Sequence, residues 1–494
     1  MKKIFVLLAV LMFIIAACAP ALAPVPPTVA PTTAPPATQQ PAATQPPAAT
    51  ATTAPATAAP KAPPPTATPI TPGVTAAPNA VKIQFWSALT GASQVATLQR
   101  LMDNFNKANP QYYLVQTVAG NYDQTLQKTN AAIQAGATPD MVIGNPGDLA
   151  TYDTAGAVVD LTSYINGADG LSAAQQSEIN KSLYFDTWNN KIIGVSWGRS
   201  AQVLFYNVEA LNAAGFAKPP ETWDDFDAVC AKVTTPTFSC YAFVSSTSTF
   251  ASMVWSRGGN YASADEKKAV FDEQAGVDTL KWLKNAAEKK YAYSPSASFG
   301  DQTDFGNGKV LFTFGSTAGL PFYYTAVKGS AKPFKWDIAA MPRGPNGKNN
   351  VDIFGPSVGV LKSNADKQKG AWLFIKYLLT QDAELDWAAN VNYFPATKSA
   401  IDATVALDDA KAKALAPAFP DYLPQFKSGL QFFATIGRRE PTAPAWQAVR
   451  GIIANMNTAV FLQKTGPDFK AIDPAEAAKE GVQRVNDALA SFGK

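Results

Sequence analysis

The sequence predicts an α/β protein of two domains, and three observations carry that expectation. From residue 81 onward strand-like and helix-like stretches alternate, which points to a sheet that is at least partly parallel. The chain has 494 residues, 47% of them hydrophobic, enough for two domains of ordinary size. No short-period repeat suggests a solenoid.

Ahead of that body the chain starts with Lys2, Lys3 and the apolar run "IFVLLAVLMFIIAA", which reads as an export signal too short to span a bilayer comfortably. A membrane-spanning anchor is the alternative, against which stand the length and Pro20. The run ends at Cys18, and "IIAAC", with Ala16 and Ala17 before the cysteine, resembles the lipobox of bacterial lipoproteins. That resemblance implies a signal peptide over 1–17, cleavage before Cys18 and a diacylglyceryl group on its thiol. The mature chain would then sit extracytoplasmically, anchored to the outer face of the cell membrane. Two or more acyl chains, each methylene contributing about 0.8 kcal/mol when buried, make a stable anchor.

Residues 18–80 are almost entirely Ala, Pro and Thr after the cysteine, with Lys61 as the single charge. Such a composition buries too little apolar surface to offset its ordering entropy. It is expected to form a disordered, polyproline-like stalk with an upper reach of about 190 Å at roughly 3.1 Å per residue.

The body opens with "VKIQFWSALTG", in which Val81, Ile83 and Phe85 alternate as in a strand. Ser93 is expected to cap a helix whose apolar positions Val95, Leu98, Leu101, Met102 and Phe105 recur at helical spacing until "NP" at 109–110. There follow a strand "YYLVQTV", a helix "YDQTLQKTNAAIQAG" and a short apolar strand "PDMVIG". The alternation returns in "KIIGVSW", "VLFYN", "ETWDDFDAVCAKV", "VDTLKWLKNAAEKK", "KVLFTFG" and "GAWLFIKYLLTQDAELDWAAN".

Composition also removes function classes. A net charge of +3 with 16% charged residues offers no basic stripe, so nucleic acid is not expected as a partner. The chain has no histidine, which removes the commonest general base, the usual catalytic triads and the commonest transition-metal ligand. No metal and no cofactor are expected. Cys230 and Cys240 remain as an even pair in an exported chain, so a local disulfide is inferred, with two buried thiols as the alternative.

Several stretches, in this order, resemble family 1 of the extracellular solute-binding proteins of ABC importers, which includes the maltose- and glycerol-3-phosphate-binding proteins. They are "IQFWSALTG", "FNKANP" with "GNYDQTL", "TPDMVIG", "VLFYNVEALNAAGF", "PPETWDDF", "FGNGKVLFTFGS" and "WAANVNYFPATKSA". The pair "FW…GNY" leans toward the glycerol-3-phosphate branch. The resemblance implies a two-lobed periplasmic-binding-protein fold of type II, each lobe a mixed sheet flanked by helices, with ligand in the cleft between them. By analogy lobe 1 takes 81–198 and 356–400, and lobe 2 takes 199–355 and 401–494. Closure of the lobes around ligand is what a permease would read.

A sugar site needs flat aromatics and a few directed polar groups. Trp86 at the end of the first strand, Trp197 in the first crossing segment, Tyr122, Tyr393 and Trp255 are candidates on that ground, although aromatics usually serve cores. The family resemblance adds that Tyr122 and Tyr393 match ligand-contacting tyrosines of the glycerol-3-phosphate branch, and that Ser200, Ser316 and Gly355 match small residues lining its cleft. Trp446 in "APAWQAV" resembles a stacking tryptophan of the maltose branch. Arg438 and Arg439 in "IGRREP" lie near the place where the glycerol-3-phosphate branch supplies an arginine to phosphate. A guanidinium clamps phosphate or carboxylate bidentately, and the bland alternative is a solvated turn paired with Glu440. This sequence departs from that branch in one respect. Where the branch has a glutamate after its third strand it reads "IGNPGDL", so Asn145 or Asp148 would have to bind the hydroxyls, and an oligosaccharide fits as well as a sugar phosphate.

The expected function is thus the substrate-binding subunit of an ABC importer, a monomer that takes a carbohydrate or sugar-phosphate-like solute and delivers it to permease subunits without catalysis. A secreted glycosidase is the enzyme alternative, but Asp140, Asp148 and Asp352 show no spacing that singles out a pair. A carbohydrate sensor or adhesin uses the same lobes. No calcium loop is present, and "MPRGPNGKNN" lacks the setting of a phosphate loop.

Overall fold

The computed structural model describes residues 68–491 apart from Ser298, Asn346 and Asp468. The export signal, Cys18 and the stalk as far as residue 67 lie outside the described residues.

In chain order the strands are β1 (Thr68–Pro69), β2 (Val81–Ser87), β3 (Tyr112–Val118), β4 (Met141–Gly144), β5 (Phe185–Trp188), β6 (Lys191–Val195) and β7 (Ser200–Asn207). They continue as β8 (Ser239–Ala242), β9 (Ala292–Tyr293), β10 (Val310–Ser316), β11 (Trp336–Ala339), β12 (Val351–Phe354), β13 (Ser357–Val360) and β14 (Gly437–Arg439). One sheet has the order β1-β3-β2-β4-β13-β6-β5; the other runs β14-β12-β7-β10-β8-β9, with β11 also on β7. Both are mixed. β2 is parallel to β3 and β4 because helices Ala92–Ala108 and Tyr122–Gln134 carry the crossovers, whereas β13 and β6 are antiparallel to their neighbours.

Helix Ala92–Ala108 buries Leu98, Leu101, Met102 and Phe105, the stripe its spacing predicts, each side chain contributing about 1.5–3 kcal/mol. Its start differs from expectation. Gly91, not Ser93, holds the N-cap position, and its N–H donates to the Gln94 side chain at 3.1 Å. The helix ends before Asn109, as the following proline requires. Across it, Phe374 of helix Ala365–Leu378 meets Phe85 and Phe105 edge-on at 6.0 and 5.3 Å.

The second sheet is covered on both faces. Along β7, Val203 and Phe205 join the core that contains Phe426 and Leu430, while Leu204 and Tyr206 join the one that contains Trp223 and Phe312. That alternation is the two-residue period of a strand buried on both sides. Cys230 and Cys240 form a disulfide, with Cα atoms 5.0 Å apart, that ties helix Trp223–Val233 to β8.

The stalk expected to reach residue 80 is bound to the body from Thr68 onward. β1 pairs antiparallel with β3 and forms the edge of the sheet, Ile70 N–H donates to Gln116 O at 2.9 Å, and Tyr113 Oη donates to Val74 O at 3.1 Å. Gly73 N–H lies 3.0 and 3.1 Å from the Asp103 carboxylate oxygens. Composition cannot anticipate this, because the partners belong to β3 and helix Ala92–Ala108.

Between the sheets the chain crosses at 196–199 and at Gly355–Pro356, with the turn at 392–397 alongside. Ser196 Oγ lies 2.7 Å from Gly198 O and 2.8 Å from Pro356 O, and Arg199 and Phe394 exchange backbone hydrogen bonds. No helix of the described residues is long and apolar enough to cross a membrane.

Candidate ligand-binding cleft

A cavity of about 270 Å³ lies where these crossing segments meet the two sheets. From the first half it is lined by Tyr122, Asn145, Pro146 and Asp186; from the crossings by Arg199, Gly355 and Tyr393. Ile353, Phe354, Arg439, Glu440, Pro441, Trp446, Gln447 and Arg450 complete the wall. Local structure explains why these positions converge. Tyr122 and Trp446 are the first residues of helices Tyr122–Gln134 and Trp446–Leu462, and Asn145 caps helix Pro146–Thr154 just after β4. Three helix N-termini therefore meet the cavity, each with a positive dipole end.

The cleft is closed. Asn145 Nδ2 donates to Gln447 Oε1 at 3.2 Å, and Ala445 N–H lies 3.3 Å from Thr151 Oγ1. Gly147 is so near the facing helix that a Cβ there would lie 2.4 Å from Trp446 Cβ and 2.7 Å from Ala443 O. At Gly355 the backbone has φ +152°, and a Cβ would sit 3.0 Å from Gly198 O and 3.5 Å from Tyr393 Cε1. Only glycine suits that crossing.

The charged groups of the wall come in pairs. Arg199 Nη2 donates to Asp186 Oδ1 at 2.8 Å, Nη1 to Gly355 O at 2.8 Å and Nε to Leu183 O at 3.0 Å. Arg450 is ion-paired with the Glu440 carboxylate, which also accepts from Trp446 Nε1 at 2.9 Å and Ser248 Oγ at 3.0 Å. Arg439 donates to Glu266 Oε1 at 3.1 Å and Thr442 Oγ1 at 2.8 Å.

These contacts decide protonation. Burial pushes the Glu440 carboxyl up, but Arg450 and the Trp446 indole outweigh it and hold the group below its ordinary range. Behind it the fully buried Asp352 is raised well above its ordinary value, by burial and then by the Glu440 carboxylate. Burial, with the Tyr393 phenol and Asp148 adding to it, keeps Tyr122 neutral with a strongly raised pKa. Tyr393 is pushed up to about 12 by burial. Both phenols are available as hydrogen-bond donors or acceptors.

Of the residues singled out in the sequence, Tyr122, Asn145, Gly355, Tyr393, Arg439 and Trp446 share this cavity. The others lie elsewhere. Asp148 turns back to accept from Asn145 N–H at 2.8 Å, and burial raises its carboxyl to about 7. Trp197 is buried against Trp387, ring centroids 4.8 Å apart. Trp86 packs on the core of Val142 and Leu149. Ser200 is buried with Oγ 3.2 Å from Phe354 O, and Ser316 Oγ accepts from Ala318 N–H at 3.1 Å. Trp255 is buried beneath the Arg438 guanidinium, 4.4 Å from its ring, and Arg438 Nη2 donates to Asn260 Oδ1 at 2.9 Å. Missing from that set were Asp186, Arg199, Glu440, Gln447 and Arg450. The readable signal for Arg199 was a charge inside an otherwise apolar hinge, "VSWGRSA". Among the described residues no group of three or more His, Cys, Asp or Glu could hold a metal ion.

Two α/β lobes closing on a cavity define the class: a periplasmic-type binding protein with its ligand cleft between the lobes. Residues 100–418 match the family model of the bacterial extracellular solute-binding proteins, and the chain belongs to that family. Among curated proteins it is similar to the sn-glycerol-3-phosphate-binding periplasmic protein UgpB of Yersinia pestis, 24% identical over 356 residues, covering 65% of this chain and 76% of the relative. Among solved structures, UgpB from Mycobacterium tuberculosis in complex with glycerophosphocholine has a TM-score of 0.68 at 20% identity, covering 84% of this chain and 100% of that one. The GacH receptor of Streptomyces glaucescens, solved unliganded and with acarbose, has a TM-score of 0.66 at 17% identity over 83% of this chain and 99% of that one. These structures share the fold.

Proposed function

We propose that this chain is the lipid-anchored, extracytoplasmic substrate-binding subunit of an ABC importer for a carbohydrate or sugar-phosphate-like solute. The observation that carries the reading is the closed cavity whose walls come from both halves, with Tyr122 and Asn145 facing Trp446 and Gln447. Contacts made only on closure are what allow a solute to shift the open form to the closed one. About nine waters' worth of space, at ~30 Å³ each, suits a small polyhydroxylated guest. The names of the relatives, a glycerol-3-phosphate binder and an acarbose receptor, favour the same ligand chemistry.

On this reading the lobes are 81–198 with 356–400, and 199–355 with 401–494, residues 68–80 being strapped to the first. Support comes from the strands, since those of the first sheet fall within 68–195 and 357–360 and those of the second within 200–354 and 437–439. The anchor is the lipid on Cys18, the partners are permease subunits, and the protein acts as a monomer. On this reading it binds without chemistry, the two carboxylates of the cavity wall, Asp186 and Glu440, being ion-paired with Arg199 and Arg450.

The test is titration calorimetry with sn-glycerol-3-phosphate, glycerophosphocholine and neutral mono- and oligosaccharides, combined with small-angle scattering. One solute is expected to bind and to contract the scattering profile. A profile unchanged by every solute, or a turnover product from any of them, would overturn the reading.

A further inference from the structure

Behind the cavity wall two carboxyls share one cation. Glu440 is ion-paired with Arg450 and accepts from Trp446 Nε1 at 2.9 Å and from Ser248 Oγ at 3.0 Å. Asp352 on β12 stands behind it, fully buried, and neither of its carboxyl oxygens meets a hydrogen-bond partner among the described residues. A buried carboxylate without a donor is costly, and native proteins rarely keep one.

The cations around Asp352 are engaged elsewhere. Arg438, opposite it in the β12–β14 pairing, lays its guanidinium over the Trp255 ring at 4.4 Å and donates to Asn260 Oδ1 at 2.9 Å. Arg450 gives Nη1 to Glu440, and its Nη2 lies 3.4 Å from Ser248 Oγ. Helix Thr247–Ser256 presents two hydroxyls one turn apart: Ser248 donates its hydrogen to Glu440, and Ser252 Oγ accepts from the Asp352 backbone N–H at 3.0 Å. Tyr261, which also faces Asp352, is kept neutral by burial. The Glu440 carboxylate itself remains within hydrogen-bond reach of the Asp352 carboxyl. Two buried carboxylates in contact do not both stay ionised beside one guanidinium, so the pair holds a proton. That proton belongs on Asp352, because the oxygens of Glu440 already receive Arg450, Trp446 and Ser248.

We infer that Asp352 is a positioning residue of the cleft: it keeps its proton, donates it to the Glu440 carboxylate, and so fixes the acceptor that holds the Trp446 indole and the Arg450 guanidinium in the cavity wall. This role rests on the binding-protein reading above for what the wall is used for. Trp446 and Arg450 both line the cavity, so a shift of Glu440 moves two surfaces that face the solute. An ionised Asp352 would compete for Arg450 and repel Glu440.

The test compares Asp352→Asn, whose amide N–H replaces the O–H donor, with Asp352→Leu, which keeps the bulk and removes the donor. Infrared difference spectra of the purified full chain at neutral pH should show the band of a protonated carboxyl that Asp352→Asn lacks. In nitrogen-15 spectra recorded without ligand, the Trp446 indole N–H resonance, assigned with Trp446→Phe, should move in Asp352→Leu and stay in place in Asp352→Asn. Whichever of sn-glycerol-3-phosphate, glycerophosphocholine or the neutral sugars binds the wild type should bind about tenfold or more weakly to Asp352→Leu, and within about threefold of wild type to Asp352→Asn. Should Asp352→Asn fail to fold by circular dichroism, Glu440→Gln replaces it in the infrared measurement: Arg450 is then left with Asp352 as its carboxylate, so the protonated band should vanish there too. Asp352→Ala stands in for the leucine variant on the same criterion. A difference spectrum that shows an ionised carboxylate in place of the protonated one, or a leucine variant with the Trp446 resonance and affinity of wild type, overturns the inference and leaves the importer reading standing. If the band and the indole shift are found but no solute binds, the bond from Asp352 to Glu440 stands and the importer reading falls.

Discussion

Gly147 and Trp446 touch across the cleft so closely that no side chain fits between them: a Cβ at Gly147 would lie 2.4 Å from the Trp446 Cβ. Gly147 sits in the first turn of helix Pro146–Thr154 and Trp446 in the first turn of helix Trp446–Leu462, so the contact measures how far the halves can close. An added methyl group there meets the helix start of the other half together with the Ala443 carbonyl, 2.7 Å away, neither of which is the yielding end of a long side chain.

Gly147→Ala is therefore expected to prop the cleft open. Affinity should fall tenfold or more, about 1.4 kcal/mol, because contacts from the second half are lost. The melting temperature should change little, since the clash exists only in the closed form. Calorimetry together with the radius of gyration checks this; a variant that binds and contracts like wild type would show that closure does not bring these two residues together.

Tyr122 and Tyr393 form one wall of the cavity, and Tyr393 also stacks on Trp387 at 6.3 Å with 12° between the planes. Either residue changed to Ala removes a flat face and a phenol donor, so ligand binding should weaken at least tenfold. The phenylalanine variants separate the two contributions: Tyr122→Phe should lose the hydrogen-bonding share alone. Unchanged affinity in both alanine variants would mean that the ligand sits elsewhere.

The alternation of strands and helices and the partly parallel sheet were readable from period and spacing, because burial imposes those periods on any sequence that folds this way, whereas the order of the strands appears only in the folded chain. Of the cleft, Tyr122, Tyr393, Gly355 and Trp446 were readable through family resemblance, each lying in a stretch with a recognisable neighbour pattern. The ion pairs were not. Asp186 and Arg199 are 13 residues apart on either side of a crossing segment, and only the folded chain shows that they meet. Glu440 entered only as the local partner in the alternative reading of Arg438 and Arg439, whereas it binds Arg450 one helix turn into the next element. The aromatics divided for a related reason: Trp197 and Trp255 have the same local look as Trp446, and only the packing of Trp387 on the first and of Arg438 and Tyr261 on the second fills the space around them.

Stability should pass through a maximum in mildly acid solution. Burial raises the carboxyls of Asp148 and Glu384 to about 7, from 3.8 and 4.5. Between those values the folded chain holds protons that the unfolded chain has released. Its stability therefore falls as pH rises from about 4.5 to 7, by about 1.4 kcal/mol per unit for each group, and these two groups add no further loss above that range. Glu440 works in the opposite sense. Its carboxyl is held low, so its contribution is present above pH 4.5 and disappears as acid protonates it. Melting temperatures measured at constant ionic strength should accordingly drop between pH 5 and pH 7. Asp148→Asn keeps an oxygen for the Asn145 N–H and removes the titration, so its profile should be flatter over that range. A wild-type melting temperature that climbs from pH 5 to 7, or an Asp148→Asn profile as steep as wild type, would show that Asp148 is not held protonated behind the cleft.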